Sequence, residues 1–132
     1  MTPKQIGILG EKITITYFKK KGYQILDKNY SPHFISGPKR GEIDIIAKNK
    51  DSISFIEVKT LTQDHREVFS VIGGEEKVNF KKRKKIIKMA ETWLRENRIP
   101  LNSKWQIDVI SVIIDLSNKK AKIRHFKNVA CE

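Results

Sequence analysis

Two β-rich runs that nearly adjoin each other constrain the fold of this chain more than any other feature of its sequence. Residues 42–47 and 53–59 are rich in isoleucine, valine and phenylalanine, and the polar connector 48–52 has the length of a hairpin turn. β-rich runs joined in this way predict a β-hairpin. A hairpin commits the chain to a sheet that needs further strands or helices to cover it.

The segments on either side of the hairpin complete an α/β pattern. A threonine cap at Thr2, followed by a proline and then a glutamine three residues after the cap, predicts a helix that runs to about Lys21, where Gly22 can end it. The other predicted elements are a strand over 23–30, a loop over 31–41, a loop over 60–75, a helix over 76–97 and strands over 106–116 and 122–126. The order α-β-β-β-α-β-β predicts a mixed β-sheet flanked by helices, in a single domain over residues 1–132.

The charge balance indicates the class of partner. The chain holds 27 Lys plus Arg against 15 Asp plus Glu, a formal net charge of +12. Such an excess makes a polyanion the default partner, either nucleic acid or an anionic membrane surface. Because no secretory signal and no apolar run of roughly 20 residues is present, we expect a cytoplasmic protein that does not span a membrane. The single cysteine, Cys131, excludes an intrachain disulfide and a cysteine-based zinc site.

The second strand of the hairpin carries an acid and an amine on one face. Because alternate side chains of a strand share a side, Glu57 and Lys59 are neighbours on the face opposite Ile56. An ion pair between the two is the ordinary interpretation. Hairpin pairing can also bring Asp44 within a few ångströms of Glu57, and two carboxylates that close require a proton or a cation between them. Hard oxygen ligands favour Mg²⁺ or Mn²⁺, and such a metal with a nearby lysine is the equipment of phosphodiester hydrolysis.

The first helix offers another carboxylate. Gly7, Gly10, Glu11 and Thr14 fall on one helical face. Each helical glycine costs roughly 1 kcal/mol relative to alanine, so we expect this face to pack closely against backbone and to direct Glu11 at a specific target. The alternative for Glu11 is a solvated helix residue. For Glu42, which alternation places beside Asp44, a structural carboxylate is favoured over a metal ligand.

The predicted second helix carries a basic run. Six positive charges and no acid lie between positions 81 and 88, and like charges at helical spacing repel one another. We therefore expect phosphate binding there rather than a solvated face. Membrane binding is disfavoured because the apolar stripe of this helix is needed to cover the sheet. The residues assigned to nucleic-acid binding are Lys81, Lys82, Arg83 and Lys85.

The remaining candidates receive structural interpretations. Asp108 is expected to accept hydrogen bonds from a buried donor, and Trp93 and Trp105 are expected in the core or at an interface. The histidines lack metal-ligand spacing and are expected at the surface; they are His33, His65 and His125.

The order of the acidic residues resembles a known pattern. Asp44, followed after twelve residues by Glu57-Val58-Lys59 and preceded by Glu11 on a helix, is similar to the signature of the PD-(D/E)xK nuclease superfamily. A closer resemblance, over nearly the whole chain, is to the YraN family. The motifs that carry it are Gly7-x-x-Gly10-Glu11, Gly22-Tyr23-x-Ile25-Leu26-x-x-Asn29, residues 41–47, residues 55–59, Val78-Asn79-x-x-x-Lys82 and His125-x-x-Asn128.

The resemblance implies a restriction-endonuclease-like fold and a metal-dependent endonuclease related to the archaeal Holliday junction resolvases. By this likeness, Asp44 and Glu57 ligate Mg²⁺ or Mn²⁺ together with the carbonyl of Val58. Lys59 would assist the attacking water, and Glu11 would reach the metal directly or through water.

Three segments of the chain depart from the YraN pattern. Leu61 and Gln106 occupy positions where the family usually has arginine, and Val129-Ala130 replaces Ala-Phe. These changes weaken the expectation of a particular grip on substrate more than the expectation of hydrolysis, because the catalytic motif is intact. Lys82 matches a basic position of the family and would contact phosphate.

Two functions remain open from the sequence. The first is an Mg²⁺-dependent endonuclease that cuts DNA, including branched or Holliday junction structures, and binds mainly the backbone with low sequence specificity. The second is a nucleic-acid-binding protein that keeps the nuclease fold without chemistry. The intact acids favour the first, because a binding module needs no carboxylates beside a phosphate. A resolvase-like enzyme would need two active sites, which a C₂ homodimer supplies.

Overall fold

The computed structural model describes residues 1–32, 41–63 and 80–129, with only the backbone described at 80–82. Its elements are α1 Pro3–Lys20, β1 Gln24–Tyr30, β2 Ile43–Asn49, β3 Ser52–Thr62, α2 Phe80–Glu96, β4 Trp105–Asp115 and β5 Lys120–Phe126. They follow the predicted order. Most of the predicted loops over 31–41 and 60–75, and the predicted start of the second helix over 76–79, lie outside the described residues.

The described strands form a mixed sheet in the order β1-β2-β3-β4-β5. β2 and β3 pair antiparallel as the predicted hairpin, with Lys50 in the turn at a φ of 58°. β3 and β4 pair in parallel, which requires a crossover connection, and α2 lies within that connection. The outer pairs, β1 with β2 and β4 with β5, are antiparallel.

β3 is longer than the sequence pattern predicts. The polar composition predicts a loop from residue 60, but the strand continues to Thr62 because residues 60–62 pair with residues 112–114 of β4. The loop prediction is therefore wrong at these positions. Local composition carries no signal of a partner strand that lies so far along the chain.

The capping residues of α1 act as predicted. Thr2 Oγ1 accepts a hydrogen bond from the Gln5 backbone N–H (3.2 Å), and Gln5 Oε1 accepts one from the Thr2 N–H (2.8 Å). At the other end, Gly22 has a φ of 91°, a left-handed conformation that favours glycine. Each signal lies within a few residues of the helix end that it marks, which is why the sequence locates both ends.

Close packing of α1 on β3 depends on one of the two glycines. A β-carbon at Gly10 would collide with the side chain of Thr60, so only glycine allows this approach. At Gly7, no described atom lies within 4 Å of the position that a β-carbon would take. The close approach occurs at Gly10 alone, and its partner is the Thr60 side chain where backbone was expected. It brings the next residue, Glu11, towards the sheet.

Each face of the sheet carries a hydrophobic core. The face towards α1 is built around Phe18 and includes Ile45, Ala47, Ile56, Ile110, Val112 and Ile114. The face towards α2 includes Ile43, Ile46, Ile53, Phe55, Ile86, Met89, Ala90, Trp93, Leu94 and Ile107. The apolar stripe of α2 is therefore used by the sheet, as predicted. Within the described ranges, neither helix combines the length and apolar character needed to cross a bilayer.

Two polar contacts attach α2 to the first strand. Trp93 Nε1 donates a hydrogen bond to Asp27 Oδ2 (3.0 Å), and the Tyr30 hydroxyl donates one to Glu96 Oε1 (2.6 Å). The predicted core position of Trp93 is confirmed, since the side chain is buried. The basic first half of α2 is left beside the end of the sheet where β2 begins.

Candidate functional site

The candidate site lies where β2 and β3 separate. Hairpin pairing extends from the turn to Ile45 and Ile56, and Asp44 is the next residue of β2 beyond the last pair. Asp44 Oδ2 accepts a hydrogen bond of 2.7 Å from the backbone N–H of Val58. The carboxylate is therefore fixed just beyond the paired part of the hairpin, against β3.

Three carboxylates meet at this point. Glu11 comes from α1, Glu42 precedes β2, and one oxygen of each lies within 4.8 Å of the others and of an oxygen of Asp44. Glu11 reaches the group because Gly10 lets α1 approach β3. The sequence pattern favours a structural role for Glu42, whereas its position beside the other two acids makes it a candidate ligand.

Asn29 links two of these acids and was assigned no role from the sequence beyond its place in a motif. Its Nδ2 donates hydrogen bonds to Glu11 Oε1 (3.3 Å) and to Glu42 Oε1 (3.1 Å). Asn29 has a φ of 50°, in the left-handed region that asparagine tolerates better than most residues. Its place at the end of the motif that begins at Gly22 is the sequence signal that could have identified it. The amide holds the two carboxylates side by side.

The surroundings of Asp44 oppose its ionisation. Burial raises its pKa from 3.8 to about 7, the negative charges of Glu11, Glu42 and Glu57 add to the increase, and the Val58 N–H opposes it. Near neutral pH the carboxylate is thus balanced between its two forms. A cation placed among the acids would favour the charged form of Asp44.

Glu57 and Lys59 lie on the face of β3 that carries Phe55. Phe55 belongs to the core beneath α2, while Ile56 and Val58 pack on the α1 side, so strand alternation assigns Glu57 and Lys59 to the α2 side, as predicted. Glu57 is near enough to contribute to the field at Asp44, and its Oε2 is buried. Among the described residues, the close carboxylate group contains Glu42 in place of Glu57.

The donor set fits a hard divalent cation. Glu11, Glu42 and Asp44 offer carboxylate oxygens to a common point, which is the chemistry that Mg²⁺ and Mn²⁺ prefer. Glu57 follows Ile56, the partner of Ile45, and so lies level with Asp44 on the neighbouring strand. The predicted ligands Asp44 and Glu57 are thus held near each other, with Val58 bound to Asp44 through its N–H.

The basic start of α2 lies beside the entrance to β2. Lys85 extends over Gly41, where a β-carbon would lie 3.1 Å from Lys85 Nζ. Gly41 immediately precedes Glu42, so this lysine borders the acidic group. Arg83 and Lys85 are half-buried. The side chains of Lys81 and Lys82 lie outside the described residues.

A buried histidine corrects one sequence prediction. His125 is expected at the surface, but its side chain is 7% exposed and its Nε2 lies 2.8 Å from Asp108 Oδ2. Asp108 accepts further hydrogen bonds from Asn128 N–H and Gln106 Nε2, both 2.9 Å. Burial favours a higher pKa for Asp108, and these hydrogen bonds outweigh it and lower the pKa. The predicted role of Asp108 is confirmed. The other two histidines, His33 and His65, lie outside the described residues.

Two of the departures from the YraN pattern, Leu61 and Gln106, occupy structural positions. Leu61 packs against Ile113 of β4, and Gln106 donates its hydrogen bond to Asp108. Neither lies in the group of three carboxylates. Their replacement of arginine therefore leaves the candidate metal ligands in place.

Known proteins similar to this chain share a single family description. The model of the uncharacterised protein family UPF0102 matches residues 10–112. A UPF0102 protein of Alkaliphilus oremlandii is 38% identical over 125 residues, covering 95% of this chain and 97% of that protein. A UPF0102 protein of Clostridium botulinum strain Kyoto is 39% identical over 127 residues, covering 95% and 93%. The matches span α1 through β4, and so include every residue of the candidate site.

Proposed function

The chain belongs to the UPF0102 family, which is the YraN family that its motifs resemble, and from this premise we propose that it is a metal-dependent endonuclease that hydrolyses phosphodiester bonds in DNA. The observation that supports the proposal best is the group formed by Glu11, Glu42 and Asp44. One oxygen of each acid lies within 4.8 Å of the others, and burial together with the negative charges of Glu11, Glu42 and Glu57 raises the pKa of Asp44 to about 7. A bound Mg²⁺ or Mn²⁺ would remove that conflict.

The proposed chemistry divides the site into ligands and a water-orienting group. When bound, the metal ion supplies a Lewis acid that polarises the phosphate and lowers the pKa of a bound water. Asp44 and Glu57 hold the ion from adjacent strands, with Glu11 and Glu42 as further ligands. Lys59, two residues beyond Glu57 on the same face, orients the water or donates a hydrogen bond to the phosphate oxygens as their charge grows.

Asn29 acts as a positioning residue in this proposal. Its amide donates to both Glu11 and Glu42, so each carboxylate has one oxygen held and the other directed elsewhere. Groups that orient metal ligands in this way commonly change metal affinity about 10- to 100-fold when removed. The arrangement limits the freedom of the acids before a metal arrives.

The proposed substrate is the DNA backbone. The net charge of +12 and the basic start of α2 favour contacts with phosphates over contacts with bases, so low sequence specificity is expected. Lys85 borders the acids over Gly41, and Arg83 lies one half-turn earlier on the same helix. Action on branched DNA, by a homodimer that carries two sites, rests on the resemblance to the resolvases.

The alternative is a nucleic-acid-binding protein with no chemistry. It accounts for the positive charge but gives no reason to gather acids where a phosphate would lie. Asp44 is especially costly to such a module, because its pKa of about 7 means that ionising it at neutral pH opposes folding. An endonuclease accounts for both the positive charge of the chain and the group of acids.

A cleavage assay tests the proposal. Labelled four-way junction, flap, single-stranded and linear duplex DNA are incubated with Mg²⁺ or Mn²⁺ and with wild type, Asp44→Asn or the control Asp51→Asn, an exposed aspartate at the other end of the hairpin. We expect the Asp44→Asn rate to fall about 100-fold or more, with Asp51→Asn near wild type. If no protein cuts any substrate while all bind DNA, the alternative is correct.

A further inference from the structure

The edge strand β5 has two unlike faces. Ile123 packs in the α1 core, and the ring of His125 contacts Tyr17 and Phe18 edge to face at centroid distances of 6.1 and 5.2 Å. The residues that alternate with these point to the other side of the sheet. They are Lys120, Lys122, Arg124 and Phe126, and the three basic ones are exposed.

The exposed face of β5 continues the face that carries Lys59. In the registers of the sheet, Lys59 pairs with Ser111 and Ser111 pairs with Arg124, so the three form one row across β3, β4 and β5. The next row joins Leu61 and Ile113 to Lys122. With strands about 4.8 Å apart, the α-carbon of Arg124 lies about 10 Å from that of Lys59, within the reach of two long side chains that bind neighbouring phosphates.

The spacing and order of these cations suit a regular polyanion. Lys120, Lys122 and Arg124 are about 6.6 Å apart along the strand, about twice the 3.4 Å axial spacing of phosphates in one DNA strand. The Arg124 guanidinium lies 5.4 Å from the centroid of the Phe126 ring, which restrains the side chain without using its hydrogen-bond donors. Arginine held in this way is suited to a planar phosphate contact.

We propose that Lys122 and Arg124 bind the DNA backbone on the side of Lys59 away from the hairpin, so that substrate crosses β3, β4 and β5 on the face that carries Glu57 and Lys59. This inference rests on the proposed function, and it adds a second phosphate-binding surface to the basic start of α2. The first surface borders the acidic group at Gly41, and the second lies two strands beyond Lys59.

Charged residues on an edge strand also prevent it from pairing with a strand of another molecule. That role explains why β5 is charged, but not why its charge is positive. β5 is uniformly basic on its exposed face, and its cations share a row with Lys59 of the site. Natural sheet edges often use lysine for this purpose, but other charged side chains, including glutamate, can also protect an edge. The two explanations therefore differ in what reversal of the charge should do.

The test measures DNA binding in EDTA, so that it does not depend on cleavage. Affinity for linear duplex and four-way junction DNA is followed against salt concentration for wild type, Lys122→Gln/Arg124→Gln and the control Lys48→Gln/Lys104→Gln. The control removes two exposed lysines from the turn end of the sheet. We expect the salt slope of the β5 variant to fall by about 2 relative to wild type, since each phosphate contact contributes about 0.9, and the control to fall by less.

Charge reversal keeps the edge protected and separates the two explanations. Lys122→Glu/Arg124→Glu should stay monodisperse in light scattering and bind DNA more weakly than the neutral variant. Equal salt slopes for the β5 and control variants would contradict DNA binding by β5. Wild-type affinity for DNA in the charge-reversed variant would contradict it as well. In that case DNA cleavage by wild type would still support the proposed function, whereas a wild type that neither binds nor cuts DNA would refute both.

Discussion

The two ends of the β2–β3 hairpin place an aspartate in opposite environments. At the turn, Asp51 is exposed and lies 3.3 Å from Lys104 Nζ. The hydrogen bond and positive charge of that lysine lower the pKa of Asp51. At the other end, where β2 and β3 separate, Asp44 is partly buried beside Glu11, Glu42 and Glu57. We call this the split end; burial and the three negative charges raise the pKa of Asp44 there to about 7.

The difference shows that one strand pair serves two purposes. At the turn end, Asp51 forms an ion pair with Lys104. Such exposed pairs contribute little to stability. The split end gathers like charges that oppose folding, and folded proteins tolerate such conflicts mainly where a ligand resolves them. Sequence composition treats the two aspartates alike, whereas in the structure only Asp44 lies among other carboxylates.

The largest expected effect on stability comes from removing the charge at the split end. Between pH 3.8 and about 7, folded Asp44 holds a proton that the unfolded chain has lost, so stability falls as pH rises through this window. In EDTA, Asp44→Asn should therefore gain about 1 to 3 kcal/mol in the free energy of unfolding at pH 8, and less at pH 5. This is below the roughly 4 kcal/mol of an unscreened shift because Asp44 is partly exposed.

Urea unfolding of both variants at pH 5 and pH 8 measures this contrast. Asp51→Asn should show no such gain, because it loses a favourable pair rather than a repulsive one. An Asp44→Asn protein that is no more stable than wild type at pH 8 would show that the acids at the split end do not oppose folding.

A smaller effect is expected from Asn29, which sharpens the role of the split end. Asn29→Gly keeps the left-handed backbone but removes the amide that donates to Glu11 and Glu42. We expect Mn²⁺ affinity to fall about 10-fold, measured by calorimetry. The matched control is Asn128→Gly, since Asn128 has a φ of 55° and lies beside Asp108. Equal Mn²⁺ affinity in Asn29→Gly and Asn128→Gly would contradict a positioning role for Asn29.

The smallest effect is expected at the turn end. Lys104→Gln removes the partner of Asp51, so the pKa of Asp51 should rise towards its ordinary value. NMR titration of the Asp51 side chain measures the change, and the titration of Asp44 in the same spectra should not move. A joint shift of both carboxylates would show that the two ends of the hairpin are electrostatically coupled.

Local patterns predicted much of the fold. The hairpin follows from two β-rich runs, and the ends of α1 follow from Thr2, Gln5 and Gly22, because each signal acts within a few residues. The extension of β3 to Thr62 and the burial of His125 were missed. Both depend on contacts with β4, which local composition does not encode.

The candidate site could be predicted only as a set of residue types. Glu11, Asp44, Glu57 and Lys59 were found from spacing and resemblance, and the structure brings Glu11 to Asp44 and places Glu57 close to it. The meeting of Glu42 with Glu11 and the two hydrogen bonds of Asn29 could not be predicted. They arise where α1, β1 and β2 meet, and residues there gain their roles only from the tertiary fold.

The most direct test of the metal site is calorimetric titration of Mn²⁺ at pH 8 into wild type, Asp44→Asn and Asp51→Asn. We predict that wild type and Asp51→Asn bind alike and that Asp44→Asn binds roughly 100-fold more weakly or not at all. Equal binding by all three proteins, or no binding by wild type, would contradict a metal centre at the split end of the hairpin.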